Sequence, residues 1–93
     1  MLKISNVKIG KNHIFLIIDG NDRNYRIKRK MVKQDIANWN KRMIFIEPKL
    51  PIETFKALAV HEAVEKYLMT EKKLTYDEAH RIATQLEHKY LLR

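Results

Sequence analysis

The longest helical pattern in the chain runs from Pro51 to about Thr70, and it places ionisable side chains on the side that the helix should bury. At about 100° per residue, His61 and Glu65 lie one turn apart on the same face. The other side chains of that face are apolar: Ala57, Leu58, Val64, Leu68 and Met69. The opposite face is polar and carries Lys56, Lys66 and Thr70. Because a buried ionised group is costly unless it is paired or bound to metal, the pattern predicts a paired or metal-bound His61 and Glu65 in the core.

A second helical pattern, from Tyr76 to about Leu91, has the same unusual feature. Its apolar face consists of Tyr76, Ala79, Ala83, Leu86 and Tyr90. His80 and Glu87 lie within that same sector. Two helices thus each contribute a histidine and a glutamate to what should be one core.

The link between the two helical patterns is short and polar. Thr75 to Glu78 has the sequence of a capping box, which marks the start of the second helix. Helices joined by so short a link should lie antiparallel. In a symmetric hairpin, His80 and Glu87 would bracket the level of His61 and Glu65, so the four side chains should meet.

The first fifty residues read mainly as β-structure. Four segments read as strands: Leu2 to Ile9, His13 to Ile18, Asn24 to Lys28 and Met43 to Ile46. The first and third alternate apolar and polar residues, with a break at Ser5-Asn6 that predicts a bulge, and the second is the most apolar run and predicts a central strand. Asp19-Gly20 is a hairpin signal, so the first three segments should form an antiparallel meander. Val32, Ile36 and Trp39 have helical spacing, which predicts a short helix from Lys30 to Asn38 that packs on the sheet.

These elements predict an α+β fold in a single domain spanning residues 1–93. It would combine an antiparallel sheet of about four strands, one short helix, and a C-terminal antiparallel helical hairpin that carries the candidate site. Ninety-three residues leave no room for a second core. The absence of a membrane-length apolar run and of a signal-peptide pattern predicts a cytoplasmic protein without a membrane partner.

Charge and cysteine content narrow the chemistry. Residues 1–50 hold twelve Lys or Arg against four Asp or Glu, so the formal charge of +8 belongs wholly to the first half. There are no cysteines, which excludes disulfides and thiolate metal ligands. Any metal must therefore be held by histidine and carboxylate.

The His/Glu cluster is compatible with a zinc site. A catalytic zinc takes three protein ligands and keeps one position for water. His61 and Glu65, at i and i+4 on one helix, would supply two ligands that converge on one point. His80 is the first choice for the third ligand and Glu87 the reserve. If all four side chains coordinate, the site is closed and structural.

The segment Met43 to Met69, with its His-Glu-Ala-Val-Glu core, resembles the strand, linker and active helix of small zincin metallopeptidases. It is also similar to uncharacterised short proteins of phages, archaea and archaeal viruses with a like helix pair. The zincin resemblance implies a zinc ligand at His61, a general base at Glu62 and a peptide or protein substrate. It also implies that Met43 to Ile46 offers a sheet edge to an extended peptide. The second histidine of the His-Glu-x-x-His motif is Glu65 here.

Two other interpretations remain open. One is a metal-free, hydrogen-bonded network of the same His and Glu side chains. The other is a nucleic-acid-binding module in the basic first half, using Arg23, Arg26, Lys28, Arg29, Lys30 and Lys33. Tyr25 alternates to the face opposite Arg26 and Lys28, so the aromatic interleaving expected of a single-strand platform is missing. His13 and His88 are expected to be ordinary surface residues.

Overall fold

The computed structural model describes residues 2–31 and 35–91, with side chains through residue 89. The fold is α+β, as the sequence predicts. Its elements are β1 (Ile4–Ile9), β2 (His13–Ile18), β3 (Asn21–Arg29), β4 (Ala37–Trp39), β5 (Met43–Ile46), α1 (Ile52–Thr70) and α2 (Tyr76–Leu91). Neither helix has the combination of length and apolar character that crossing a bilayer requires, among the residues that the structure describes.

The first three strands form the predicted antiparallel meander. Between β2 and β3, Asp19 and Gly20 have φ angles of 49° and 83°, and two positive φ values are what a tight two-residue hairpin needs. In β1 the register shifts between Ser5 and Lys8, around Asn6 with a φ of 51°. This irregularity lies where the alternation of the sequence breaks.

The sheet as a whole differs from the prediction because it is mixed and has five strands, in the order β1-β2-β3-β5-β4. β5 pairs parallel to β3 and antiparallel to β4. The side chain of Asn40 closes the β4–β5 hairpin, since its Oδ1 accepts from the backbone N–H groups of Arg42 and Met43 at 2.8 and 3.0 Å. The prediction that Met43 to Ile46 forms an edge of the sheet is therefore wrong, because β5 is an interior strand and β4 lies at that edge.

The short helix expected over Lys30 to Asn38 is also wrong where the structure describes it. Ala37–Trp39 form β4, and residues 30, 31, 35 and 36 are not helical. Residues 32–34, including Val32 of the proposed helical spacing and Lys33, lie outside the described residues. The two ends of this segment lie on opposite sides of β5. On one side Lys30 N–H donates to Ile46 O, and on the other the N–H of Glu47, directly after β5, donates to Ile36 O, each at 3.0 Å.

α1 lies between the sheet and α2 and contacts both. Side chains from the sheet and both helices form one hydrophobic core, with Ile14, Ile44, Val64 and Ala83 among its fully buried members. Residues 59–68 of α1 are buried without a break, so the helix has no solvent-facing stripe there. Lys66, expected on a polar face, is only 5% exposed for this reason.

Two contacts between the helices fix their relative direction. His61 of α1 meets Glu87 of α2, and Glu65, one turn further along α1, meets His80, almost two turns earlier in α2. The helices are therefore antiparallel, as predicted. The Thr75 cap is also confirmed, since the Glu78 N–H donates to Thr75 Oγ1 at 3.3 Å. The Glu78 side chain reaches back to the Thr75 hydroxyl, from which its Oε1 accepts at 3.0 Å.

Candidate metal centre

Three side chains from the two helices bring potential ligand atoms together. One atom each from His61, Glu65 and His80 lies within 4.8 Å of the other two. Glu65 Oε2 is the shared point, at 3.2 Å from His61 Nε2 and 3.0 Å from His80 Nδ1. These are the three residues that the sequence selects as first-choice ligands.

The spacing of these atoms suits a small divalent cation. Zinc holds nitrogen and oxygen ligands at about 2.0–2.1 Å, so neighbouring ligands of a tetrahedral site lie roughly 3.3 Å apart. The separations of 3.0 and 3.2 Å at Glu65 Oε2 are close to that value. They also suit hydrogen bonds, so metal and proton compete for the same nitrogen atoms.

Glu65 is held in place by a residue from the sheet. The Nε1–H of Trp39, at the end of β4, donates to Glu65 Oε1 at 3.0 Å. The other carboxylate oxygen, Oε2, is then free to face both histidines. The sequence gives Trp39 a helical spacing and no role at the site, because a strand of three residues is too short for alternation to reveal it.

Glu87 contacts the opposite nitrogen of His61 instead of joining the three-atom group. Its Oε1 lies 3.0 Å from His61 Nδ1, the distance of an ion pair. The approach lacks the alignment of a hydrogen bond, so this buried nitrogen has no hydrogen-bond partner among the described residues. Glu87 is therefore placed to support and orient His61. To act as the reserve ligand, its side chain would have to turn to the Nε2 side of His61, where the other ligand atoms lie.

Glu62 lies beside the group without joining it. Its Oε2 is 3.6 Å from His61 Nε2, the nitrogen that faces Glu65. Burial, reinforced by the charge of Glu65, raises the pKa of Glu62 to about 7. A carboxyl group with a pKa near neutrality can both take up and release a proton.

The pKa values of His61 and Glu65 move in opposite directions. Burial lowers the pKa of His61, but the carboxylates of Glu65, Glu62 and Glu87 outweigh it, and the net pKa is raised. Burial raises the pKa of Glu65, but hydrogen bonding by His61, Trp39 and His80 outweighs it, and the net pKa is lowered. In the absence of a cation, the cluster thus favours a charged His61 against a charged Glu65.

His80 gives the cluster access to solvent. Its side chain is 47% exposed, whereas those of His61 and Glu65 are 8% and 7% exposed. Its Nδ1 also lies 3.3 Å from the hydroxyl of Tyr76, one turn earlier in α2, and the two rings stack. The sequence places Tyr76 on the apolar face of α2, whereas the structure leaves it 53% exposed at the mouth of the site.

A pocket of about 360 Å³ opens directly onto these side chains. The two helices and β4 with the residues preceding it form its walls. Its lining includes all four predicted His and Glu residues and Glu62, together with Asp35, Ile36, Ala37, Asn38, Leu58, Tyr76 and Thr84. Thr84 could have been found as the residue one turn after His80, whereas nothing in the sequence marks Asp35.

The basic residues considered for nucleic-acid binding divide between the two faces of the sheet. Arg23 binds Glu71, and Arg29 lies 4.2 Å from the ring centre of Phe55, so both face the helices. Arg26, Lys28 and Lys30 are exposed. Lys33 lies outside the described residues.

The two remaining histidines stay apart from the site. His13 bonds to Asn24 on the sheet, with Nδ1 and Oδ1 3.0 Å apart. His88 is exposed near the end of α2, as the sequence predicts.

No protein-family model matches the chain, and neither the curated proteins nor the solved structures yield a match. The zincin-like resemblance therefore stays a prediction from the Met43 to Met69 segment.

Proposed function

We propose that this protein binds a divalent cation, with zinc the first choice, through His61, Glu65 and His80, and uses it as a zincin-like hydrolase. The observation that carries the proposal is the meeting of three ligand atoms from two helices at the floor of an open pocket. Two imidazoles and one carboxylate form a donor set that zinc accepts in catalytic sites.

Three protein ligands leave a coordination position, which is the condition for catalysis as opposed to a purely structural role. His80, half exposed at the pocket, marks the side from which water or a substrate arrives. Glu87 would hold His61 from behind, as carboxylates commonly do for metal-binding histidines. Trp39 would do the same for Glu65.

A cation bound here would supply a Lewis acid and lower the pKa of a water in the open position. The chain's own contribution to proton transfer is Glu62. Its Oε2 lies next to the nitrogen of His61 that faces the site, so it can accept a proton from a water in the pocket. We assign it the role of general base.

A peptide or protein is the substrate that the zincin resemblance implies. One feature of the fold supports this choice. β4, one of the two edge strands of the sheet, forms one wall of the pocket through Ala37 and Asn38. An edge strand offers unpaired backbone groups to which an extended chain can bond.

The competing explanation is a metal-free network, and a zinc titration of protein stripped with chelator separates the two. Binding should displace the proton that His61 shares with Glu65, so the calorimetric heat should depend on the ionisation enthalpy of the buffer. His61→Ala and His80→Ala should each lose binding, and His88→Ala, a histidine outside the site, should retain it. No saturable binding by the wild-type protein would leave the network as the explanation.

Hydrolysis is tested separately with a mixture of fluorogenic peptides. Glu62→Gln should abolish turnover while zinc remains bound. Glu53→Gln, at an exposed position on the same helix, is the matched control and should be fully active. Zinc binding without turnover by the wild type would restrict the site to a structural or regulatory role.

A further inference from the structure

The sheet has a second surface, opposite α1, that no helix of the described residues covers. We call it the open face and define it by Lys8, Phe15, Arg26, Lys28, Lys30 and Phe45. Strand pairing shows that these residues share one side: Lys8 and Phe15 are partners, as are Lys28 and Phe45. The buried residues Ile14 and Ile27 alternate to the other side, towards the helices.

Two aromatic rings on this face lie on a diagonal through a cation. Phe15 is opposite Asn24, two residues before Arg26 in β3. Phe45 follows by two residues Met43, the partner of Arg26. Each phenylalanine is therefore a diagonal neighbour of Arg26 on an adjacent strand, and diagonal neighbours in a sheet lie roughly 7–8 Å apart. Phe15 is 47% exposed and Phe45 is partly exposed.

The charge of the open face is strongly positive. Four of its six defining residues are cationic, and the same side also carries the carboxylate of Asp22 in β3, opposite Ile17. Within the described part of the chain, the side chains of Arg26 and Lys28 form neither a hydrogen bond nor an ion pair. Lys30 Nζ lies 5.7 Å from the ring centre of Phe45. Arg23 and Arg29 contrast with these residues, since both are engaged on the helix side.

Two depressions lie along the same surface. One, of about 400 Å³, is lined by Lys8 and Phe15 among others. The second, of about 560 Å³, is lined by His13, Arg26 and Lys28 among others. Cationic side chains of the open face thus line both depressions, and Phe15 lines the first.

We infer that the open face binds single-stranded nucleic acid. Bases would stack on Phe15 and Phe45, and Arg26 and Lys28 would neutralise the phosphates between them. A positively charged surface that alternates with exposed aromatic rings is the arrangement that single-strand binding requires. The aromatic partners missing from β3 are supplied by the neighbouring strands β2 and β5.

The combination of positive charge and aromatic rings favours a single strand over a duplex or a second copy of this chain. A duplex keeps its bases stacked inside and would make no use of the rings. A second copy of this chain would bring the same positive charge to the interface, which opposes association. A single strand offers both the negative backbone and the free base faces that the surface complements.

The test measures fluorescence anisotropy of labelled oligo-dT and oligo-rU of roughly twelve nucleotides, a length within the usual site size. Phe15→Leu and Phe45→Leu keep an apolar side chain and remove the aromatic face. Each should weaken binding about five- to hundredfold. Ile52→Ala, an exposed apolar position on α1, is the control and should leave affinity unchanged.

Charge is tested with a matched pair of reversals. Arg26→Glu should abolish binding, whereas Lys56→Glu, which changes the net charge equally on the exposed side of α1, should weaken it only slightly. Arg26→Ala should reduce the slope of log affinity against log salt by about 0.7. His61→Ala should bind the oligonucleotide as the wild type does, so failure of the metal proposal does not affect this one.

Four results would overturn the inference. One is no binding of either oligonucleotide at low salt. Another is an equal loss with Arg26→Glu and Lys56→Glu, which would mean non-specific attraction by net charge. The third is preferential binding of phosphatidylserine vesicles, which would assign the open face to a membrane. The fourth is a doubled mass in sedimentation that Phe15→Leu reverses, which would assign it to a second copy of the chain.

Discussion

The indole Nε1–H of Trp39 donates to Glu65 Oε1 at 3.0 Å, and this bond joins the edge strand to the candidate metal centre. Because one oxygen of Glu65 is held by the sheet, the other stays directed at both histidines. The bond gives the strand β4 a role in the chemistry of the helices.

Replacing Trp39 by Phe should therefore impair zinc binding without removing a ligand. The ring stays apolar, but Glu65 loses the donor that orients it, and loss of such a supporting contact costs about 10- to 100-fold in metal affinity. Chelator competition measures the effect. Trp39 is the only tryptophan, so its emission should also change when the wild type takes up zinc. An affinity equal to wild type, in a variant with unchanged circular dichroism, would contradict the positioning role.

The two glycines should respond differently to alanine. Gly20 has a φ of 83°, a conformation that costs an L residue about 1 kcal/mol or more, although nothing lies within 4 Å of the added Cβ. Gly20→Ala should lower the free energy of unfolding by about that amount. Gly10→Ala is the matched control: its nearest atom is 3.9 Å away and its φ is not positive, so its stability should be unchanged or raised. Urea unfolding of both variants measures the difference, and equal losses would show that backbone conformation is not the cause.

At neutral pH, the buried Lys66 should make the protein less stable than an apolar side chain at the same position would. It is buried, its Nζ lies 5.2 Å from the Trp39 ring centre and donates to Asn40 O, and burial lowers its pKa. Since the folded protein then loses the proton at lower pH than the unfolded chain, stability should rise with pH between the lowered pKa and the ordinary value of 10.5.

Lys66→Met should remove that pH dependence and raise the free energy of unfolding by about 1 kcal/mol at neutral pH. Lys56→Met, on the exposed side of the same helix, should change it by less than about 0.5 kcal/mol. A loss of stability in Lys66→Met would mean that the cation–π contacts and the bond to Asn40 outweigh the cost of burial.

The contact between Arg23 and Glu71 should stabilise the protein only above acidic pH. The hydrogen bond from Arg23 lowers the pKa of Glu71. The stabilisation should therefore be complete above the ordinary glutamate pKa of 4.5 and be lost as pH falls through the lowered folded value. Since the pair is about one-third exposed, its coupling should be about 0.5 kcal/mol. A double-mutant cycle with Arg23→Ala and Glu71→Gln at neutral and acidic pH measures it, and a coupling that persists at low pH would contradict the assignment.

The elements set by local pattern could be predicted from the sequence. The meander follows from alternation and the Asp19-Gly20 turn, and the helical hairpin follows from periodicity and the Thr75 cap. The grouping of His61, Glu65 and His80 follows in turn from those two helices. Each of these depends on residues close together in the chain.

The remaining features depend on contacts between distant segments. β4 is only three residues long, too short for alternation to show, and Ile36 and Trp39 have a spacing that equally fits a helix. Pairing of Trp39 with Ile44 decides the conformation instead. Burial of Lys66 could not be predicted either, because α1 is covered on one side by the sheet and on another by α2. No single helix pattern contains that information.

The most direct test of the central claim is the zinc content of the untagged protein, measured by elemental analysis beside His61→Ala and the control His88→Ala. The proposed site predicts about one zinc per chain in the wild type and in His88→Ala, and none in His61→Ala. No zinc in the wild type, with none retained after zinc is added and excess removed, would contradict the metal centre. The buried His/Glu cluster would then be a structural network.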